Sequence, residues 1–479
     1  MTTLLRAGVS TADVTPETRV KMAGYAARRE VSQGVDVPLL SKALILDSGS
    51  ESLVISSTDI CYLTVDHARS MRIAIARELD VPTRGVIVTT THTHSGPVVD
   101  DEYLRFLRRR VLRAIRRAQR SMWTARLGAG SGTLDGFSKN RRRPDGPVDN
   151  TVQVIRVDDA GGRPRAAVVN YSCHPTVLGP DNLRISPDYP GHAMATIEEA
   201  ASVTALFLNG ACGDIDPFTS RGYTGVSGGG GSFKDVKRMG RALAYESLSV
   251  LESVENFGSA RLSSKVRSIE LVRGERLSRM EKAKKTADVA AQNIAKLERS
   301  GAPPESLERA RRFASYNRAM LRHWISREPD VRPASGRVRA DVQVLQIGDS
   351  VLVGVPGELF VGVGLAIKRE IAGLGFKRAM VVTPANGDVG YIPSEEGRRE
   401  WGYEPYVAAL SNQDPDAGEE IRRIAREMSS KLRRGIKRSR VSPVQDFVVW
   451  HVPSLGDWKV PRSIAGESCG QAGERPRPQ

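Results

Sequence analysis

Val86-Ile87-Val88-Thr89-Thr90-Thr91-His92-Thr93-His94-Ser95-Gly96-Pro97 runs six β-branched residues straight into two histidines and a Gly-Pro turn. The near-continuous apolar start fits a strand covered on both faces by other elements. Gly96 and Pro97 punctuate its end. A strand that delivers imidazoles into a loop is how α/β proteins build sites, because ligands gather outside the carboxyl ends of strands. If the extended conformation persists to His94, period-two geometry points both rings to the same side.

Working outward, further short β-rich runs occur at 43–46, 52–56, 152–157, 166–171 and 203–208. Gly, Pro and Asp turns and helical stretches such as 65–79 separate them. Strand signals resume at 341–347, 350–355 and 379–383, and a basic helix is expected around 419–434. Between these two groups, residues 274–327 are rich in Ala, Lys, Glu, Arg and Leu, with a break at 301–304. That pattern predicts an inserted helical hairpin. The expected fold is therefore α/β, a mixed β-sheet core covered by helices, over residues 1–455. Residues 456–479 read as a disordered tail, and 225–232, with Ser-Gly-Gly-Gly-Gly-Ser, as a mobile surface loop.

With 479 residues and 40% hydrophobic content, the chain has material for a substantial core. It contains no run approaching the roughly 20 apolar residues of a membrane span. Its first residues lack the apolar run of a signal peptide, so a cytoplasmic protein is expected. The cysteines Cys61, Cys173, Cys212 and Cys469 have no CxxC spacing, which argues against a disulfide framework or a thiolate zinc site. A net charge of +16 raises the question of anionic partners. The densest run, 105–120, sets Leu107, Val111, Ala114, Ile115 and Ala118 at helical spacing, so its arginines form either a solvated face or a polyanion-binding patch. Aromatic residues make up only 5%, little material for stacking nucleic-acid bases, and nucleic acid is not the expected partner.

Four more junctions repeat the opening pattern. Ala167-Val168-Val169-Asn170-Tyr171-Ser172-Cys173-His174-Pro175 brings a third histidine to a strand end. Leu206-Phe207-Leu208-Asn209-Gly210-Ala211-Cys212-Gly213-Asp214-Ile215-Asp216-Pro217 brings two carboxylates among glycines that permit close backbone approach. Val351-Leu352-Val353-Gly354-Val355-Pro356-Gly357-Glu358 ends in an acid whose charge is costly unless a metal or a base pairs with it. Pro384-Ala385-Asn386-Gly387-Asp388-Val389-Gly390-Tyr391 is a turn-rich loop, and Tyr391 alone would read as a packing residue. Imidazoles are common zinc ligands, so the shared placement favours a site over separate core histidines.

Taken in order, these blocks resemble the neutral (alkaline, non-lysosomal) ceramidase family from about Ala7 to Arg434. Ala7-Gly8-Val9-Ser10-Thr11-Ala12-Asp13-Val14-Thr15-Pro16, Met22-Ala23-Gly24-Tyr25 and Thr91-His92-Thr93-His94-Ser95-Gly96-Pro97 carry the likeness. The resemblance implies a ceramidase-like catalytic domain with one zinc ion held by His92, His174, Glu358 and Tyr391. It places His94, Arg141 and Tyr403 beside the substrate. It implies hydrolysis of an N-acyl amide, ceramide-like or another small amide, by a zinc-activated water. The chain departs from the family at Gly213-Asp214-Ile215-Asp216-Pro217, where the family's Gly-Asp-Xaa-Ser-Pro motif has serine. Asp216 can orient water, act as a base or hold a substrate amine, but it is no hydroxyl donor. The same metal chemistry serves lactone or ester opening or a cyclisation, and a silent binding protein on this scaffold is the remaining alternative. The expected partner is a small-molecule amide, with contact to an anionic surface as a further option.

Overall fold

The computed structural model describes residues 4–433 except 26–27, 144, 221–229, 255–260, 274–278, 305, 309, 312–313, 316–335, 400–403 and 405–415. The expected tail at 456–479, most of the 225–232 loop and residues 316–327 of the helical insertion lie outside the described residues; after the expected break, helix resumes at Pro304.

Two sheets face each other. The larger contains β1 (Arg6–Asp13), β2 (Leu40–Asp47), β3 (Ser52–Thr58), β4 (Val86–Thr90), β5 (Trp123–Thr133), β7 (Thr151–Asp159), β8 (Pro164–Tyr171) and β9 (Thr204–Asn209). Their order is β4-β3-β2-β1-β5-β7-β8-β9, with β3/β4 and β8/β9 parallel and the other neighbours antiparallel. The smaller sheet is β11 (Leu262–Arg273), β12 (Gly336–Ile347), β13 (Ser350–Gly354) and β15 (Arg378–Val382), in that order. Two short ribbons complete the set. One pairs β6 (Ser138–Asn140) with β10 (Ile215–Pro217), the other β14 (Glu358–Leu359) with β16 (Tyr391–Ile392).

Side-chain alternation explains the layering. In β2, Leu44 and Leu46 join Ile55, Ile87, Leu352 and Met380 in a cluster between the two sheets, whereas Ala43 and Ile45 point the other way. That second face is covered by α1 (Val65–Leu79) and α2 (Asp101–Arg120), and farther along by α3 (Asp188–Ala201) and α4 (Phe233–Ser253). In β13, Leu352 faces the inter-sheet cluster, while Val351 and Val353 pack under α6 (Val361–Gly373) and α8 (Ala417–Arg433). Strands buried on both faces, such as β2, β3, β4, β9 and β13, read as apolar runs. The helical insertion begins with α5 (Arg279–Arg299) and connects β11 to β12, which pair antiparallel from Leu262↔Ile347 out to Arg273↔Gly336. It thus extends the far end of a β-hairpin. A short helix, α7 (Glu395–Arg399), follows β16.

The sheets are stitched together where the parallel strands end. Thr383 N–H donates to the Asn209 carbonyl at 2.9 Å, and Asn386 N–H to the Val88 carbonyl at 2.7 Å. Asn170 donates its side-chain amide to the carbonyls of Leu208 and Val381. β4, β8, β9, β13 and β15 all empty their loops at this seam, and every strand-end motif of the sequence belongs to one of them.

Candidate metal centre

Strand β4 stops at Thr90, and the chain turns at His92, whose φ of +67° is left-handed. The expectation that alternation along a continuing strand aligns His92 and His94 is therefore incorrect. The turn itself does so: the two Nε2 atoms lie 3.4 Å apart. Backbone bonds fix the turn, with Thr91 N–H donating to the Thr58 carbonyl and His92 N–H to that of Ile60. Gly24, with φ +100°, packs against the His94 ring so closely that a Cβ would sit 2.5 Å from its Cγ. Any side chain there displaces His94.

His174 leaves β8 and meets the same space. Its Nε2 lies 3.0 Å from Glu358 Oε2, and His92 Nε2 lies 3.5 Å from the same oxygen. Glu358 arrives on β14, whose backbone is clasped by Gly213, where a Cβ would sit 2.5 Å from the Glu358 carbonyl oxygen. The ligand atoms of His92, His174 and Glu358 all lie within 4.8 Å of one another, and all three residues are buried.

The far nitrogens settle what the near ones offer. His92 Nδ1 sits 2.8 Å from the Cys61 carbonyl oxygen, and His174 Nδ1 2.6 Å from that of Cys212. A carbonyl only accepts, so both Nδ1 atoms carry hydrogen and both Nε2 lone pairs turn toward the Glu358 carboxylate. Three electron-rich atoms converging in a dry pocket need a positive charge between them. In the free protein, protons supply it. Burial works against both imidazolium ions, but Cys61 and Glu358 hold His92 well above its ordinary pKa, and Cys212 and Glu358 lift His174 to about 9. Against its own burial, Glu358 is pulled well below the carboxylate range by the same histidines. A divalent ion is the other cation that fits this donor set, with carbonyl-oriented imidazoles of the kind metal sites use. His94 goes the opposite way: burial and the neighbouring positive charge keep it neutral. Among the described residues its Nδ1 has no hydrogen-bond partner.

The two ribbons bring in the remaining groups. Register sets Tyr391 directly opposite Glu358, with its ring centre 6.5 Å from that of His174. Arg141 follows β6 beside β10, fully buried, with its guanidinium carbon 5.3 Å from the centre of the Tyr391 ring. Arg141 Nη1 donates to Asp216 Oδ1 at 3.2 Å and Nε to Glu404 Oε1 at 2.7 Å, while Nη2 has no partner among the described residues. The other Asp216 oxygen accepts from Ser220 Oγ at 2.7 Å. Asp216 is thus held by Arg141 and Ser220 rather than left loose in the site. Glu404, fully buried, also takes Arg142 at 2.6 Å and escaped the sequence reading. Its only signal is an acid in a polar segment 263 residues from the arginine it meets. Asp388, just before Tyr391, is buried too, and burial beside Glu358 pushes it up to about 7. Tyr403 lies outside the described residues.

Residues 5–223 match the family model described as neutral/alkaline non-lysosomal ceramidase, N-terminal. Neutral ceramidase A of Dictyostelium discoideum is 28% identical over 260 residues, 45% of this chain and 36% of that protein. Neutral ceramidase of Pseudomonas aeruginosa is 23% identical over 451 residues, 82% of this chain and 67% of that protein. The match thus spans little more than a third of the Dictyostelium protein. The crystal structure of neutral ceramidase from Pseudomonas aeruginosa superimposes with a TM-score of 0.70 at 19% identity, covering 95% of this chain and 80% of that one. A ceramidase complexed with C2 superimposes with a TM-score of 0.70 at 18% identity, covering 93% and 78%. Fold, strand-end motifs and family match agree: residues 5–223 match the neutral/alkaline non-lysosomal ceramidase family, and the chain shares the fold of its solved structures.

Proposed function

We propose that the chain is a zinc-dependent amidohydrolase that cleaves an N-acyl amide of the ceramide class or a smaller relative. The observation that carries this reading is the convergence of His92 Nε2, His174 Nε2 and Glu358 Oε2, with both Nδ1 atoms tied to backbone carbonyls. The donor set suits zinc, and Tyr391, paired with Glu358 by register, is assigned as the fourth ligand on the family resemblance. Bound there, the ion supplies Lewis-acid polarisation of a carbonyl and a water acidified toward neutral pH.

The protein's own residues do the rest. His94, whose Nε2 lies 3.4 Å from that of His92, is assigned the proton exchange with the attacking water and the leaving amine. Arg141, whose Nη2 makes no hydrogen bond among the described residues, offers a charged N–H donor to an oxygen that becomes negative as the carbonyl is attacked. Asp216 and Glu404 hold that guanidinium from two sides, which supports reading Asp216 as a positioning residue. Tyr403 is assigned to the substrate site on the family resemblance.

Elemental analysis and hydrolysis of a fluorogenic N-acyl sphingosine, on the wild type and on His92→Ala, His174→Ala and Glu358→Ala, test the proposal. The expected result is about one zinc per wild-type chain, with metal and turnover lost together in folded variants. Folded wild-type protein that holds no zinc, or that hydrolyses the amide equally well after chelation, refutes it.

A further inference from the structure

Helix α2 carries a charge pattern that the hydrolytic site does not use. Leu107, Val111, Ala114, Ile115 and Ala118 are buried, and Arg105, Arg108, Arg109, Arg113, Arg116, Arg117 and Arg120 are exposed. At about 100° per residue, Arg105, Arg109, Arg113, Arg116 and Arg120 fall within an arc of about 80° directly opposite the core. With a rise of 1.5 Å per residue they form a straight stripe about 22 Å long. Glu102 is the one acid on that arc. Arg116 pairs with Glu78 at 2.9 Å, whereas Arg105, Arg109, Arg113 and Arg120 make no ion pair among the described residues. Arg110, at the edge of the face, reaches Glu17. Four uncompensated guanidinium groups within a few Debye lengths repel one another, and an apposed negative surface relieves that repulsion.

We propose that this face docks on the surface of an anionic lipid bilayer. The arginines lie along one straight line on a convex helix, a shape that meets a plane of phosphates rather than a groove. Guanidinium forks suit phosphate oxygens. Two features at the start of α2 favour a bilayer over a nucleic acid. None of the large hydrophobic residues exposed on the described surface is an aromatic of α2, so a base-stacking platform is missing there. Val98 and Val31, 39% and 40% exposed, sit side by side across Lys21, with Val98 N–H on the Lys21 carbonyl and Lys21 bridged to Val31. Val98 follows the segment from His94 to Pro97 that leads into the helix, and the two valines offer apolar contact beside charged headgroups, with the exposed acids Asp100, Asp101 and Glu102 between Val98 and the arginines. The surface therefore adjoins the metal centre along the chain. The proposal rests on the amide-lipid reading for its purpose only, because binding is measured without turnover.

The test is co-sedimentation of the full chain with vesicles of phosphatidylcholine alone or rich in phosphatidylglycerol, at about 0.1 M and about 1 M NaCl. The wild type should bind the anionic vesicles at low salt and leave them at high salt. Each arginine lost should weaken binding about fivefold, so the Arg105→Gln, Arg109→Gln, Arg113→Gln, Arg120→Gln variant should bind roughly 600-fold more weakly. The corresponding four Arg→Lys changes should retain most of the binding. Wild-type protein that ignores anionic vesicles, or a Gln variant that sediments like the wild type, overturns the proposal. So does a wild type that binds duplex oligonucleotide as tightly as vesicles and loses both in the Gln variant, because the face is then a general polyanion site. None of these results depends on amide hydrolysis, so they stand apart from failure of the zinc reading.

Discussion

Replacing Asp216 by Asn tests whether the acid at this position serves Arg141. Asp216 is fully buried, and its Oδ1 lies 3.2 Å from Arg141 Nη1. At an effective dielectric of about 20 that separation corresponds to about 5 kcal/mol of attraction. Asparagine keeps an acceptor oxygen, worth about 1 kcal/mol, and Glu404 continues to hold Nε at 2.7 Å. Set against the roughly 3–5 kcal/mol lost when one partner of a buried pair is removed, the expected cost is about 3 kcal/mol. For a chain of this size that is a fall of roughly 3 °C in Tm. Turnover should fall as well, because Arg141 loses one of its two anchors. Asp216→Ser, which restores the serine of the family motif, should lose as much, since a seryl oxygen neither carries the charge nor spans to both Arg141 and Ser220. Calorimetry and amide hydrolysis on the same samples give the answer. The Arg141→Met, Asp216→Leu double variant should cost less than the sum of its singles by about 2 kcal/mol. An Asp216→Asn protein that melts within about 1 °C of the wild type with unchanged turnover, far from the pair loss expected here, refutes the reasoning.

His94→Ala should keep its zinc if the ion sits at His92, His174 and Glu358 rather than at the neighbouring Cys61, His92 and His94 grouping, and lose about 10²–10⁴-fold in turnover. Gly24→Ala, forced against the His94 ring, should lose turnover similarly, and combining it with His94→Ala should add little. Asp149→Asn addresses pH. Burial raises the Asp149 carboxyl, but Lys368 at 2.5 Å outweighs it and holds the group below its ordinary value. A depressed folded-state pKa stabilises above the unfolded value of about 4 and ceases to do so as pH falls through the folded value. The variant should therefore be less stable at pH 7 by about 2–3 kcal/mol, and the gap should close in acid. Denaturant melts at pH 7 and below pH 3 check both halves.

The elements legible in the sequence are those buried on both faces. β2, β3, β4, β7, β8, β9, β12, β13 and β15 show as apolar runs because helices or the facing sheet cover each side. β5 was not visible, and the reason is physical. Gly128, Gly130 and Gly132 make it read as a loop, yet a Cβ on Gly130 would lie 2.6 Å from Val250, and one on Gly132 would overlap Glu246. Those glycines let α4 lie directly on the strand, so here glycine marks tight packing and not freedom. β11 was hidden differently. It is an edge strand that alternates charged and apolar residues, with Ile269 and Leu271 buried between exposed Ser268, Glu270 and Val272.

The site divides along the same line. His92, His174 and Glu358 were visible because each ends an apolar strand, and a strand end is a local property. Arg141, Tyr391 and Tyr403 were suggested by resemblance alone, because what gives the first two meaning is register. Glu358 faces Tyr391 only through β14 and β16, and Asp216 meets Arg141 only through β6 and β10. Neither pairing leaves a trace in composition or spacing. The same ribbons explain the departure at Asp216: once Arg141 is buried beside it, a carboxylate satisfies that guanidinium, and a second one from Glu404 completes the cage. Two acids and Arg142 around one arginine leave the pocket charge-balanced without help from substrate. On the proposed mechanism Nη2, which makes no hydrogen bond among the described residues, answers a negative charge that develops only during reaction, which is where such a donor lowers a barrier most.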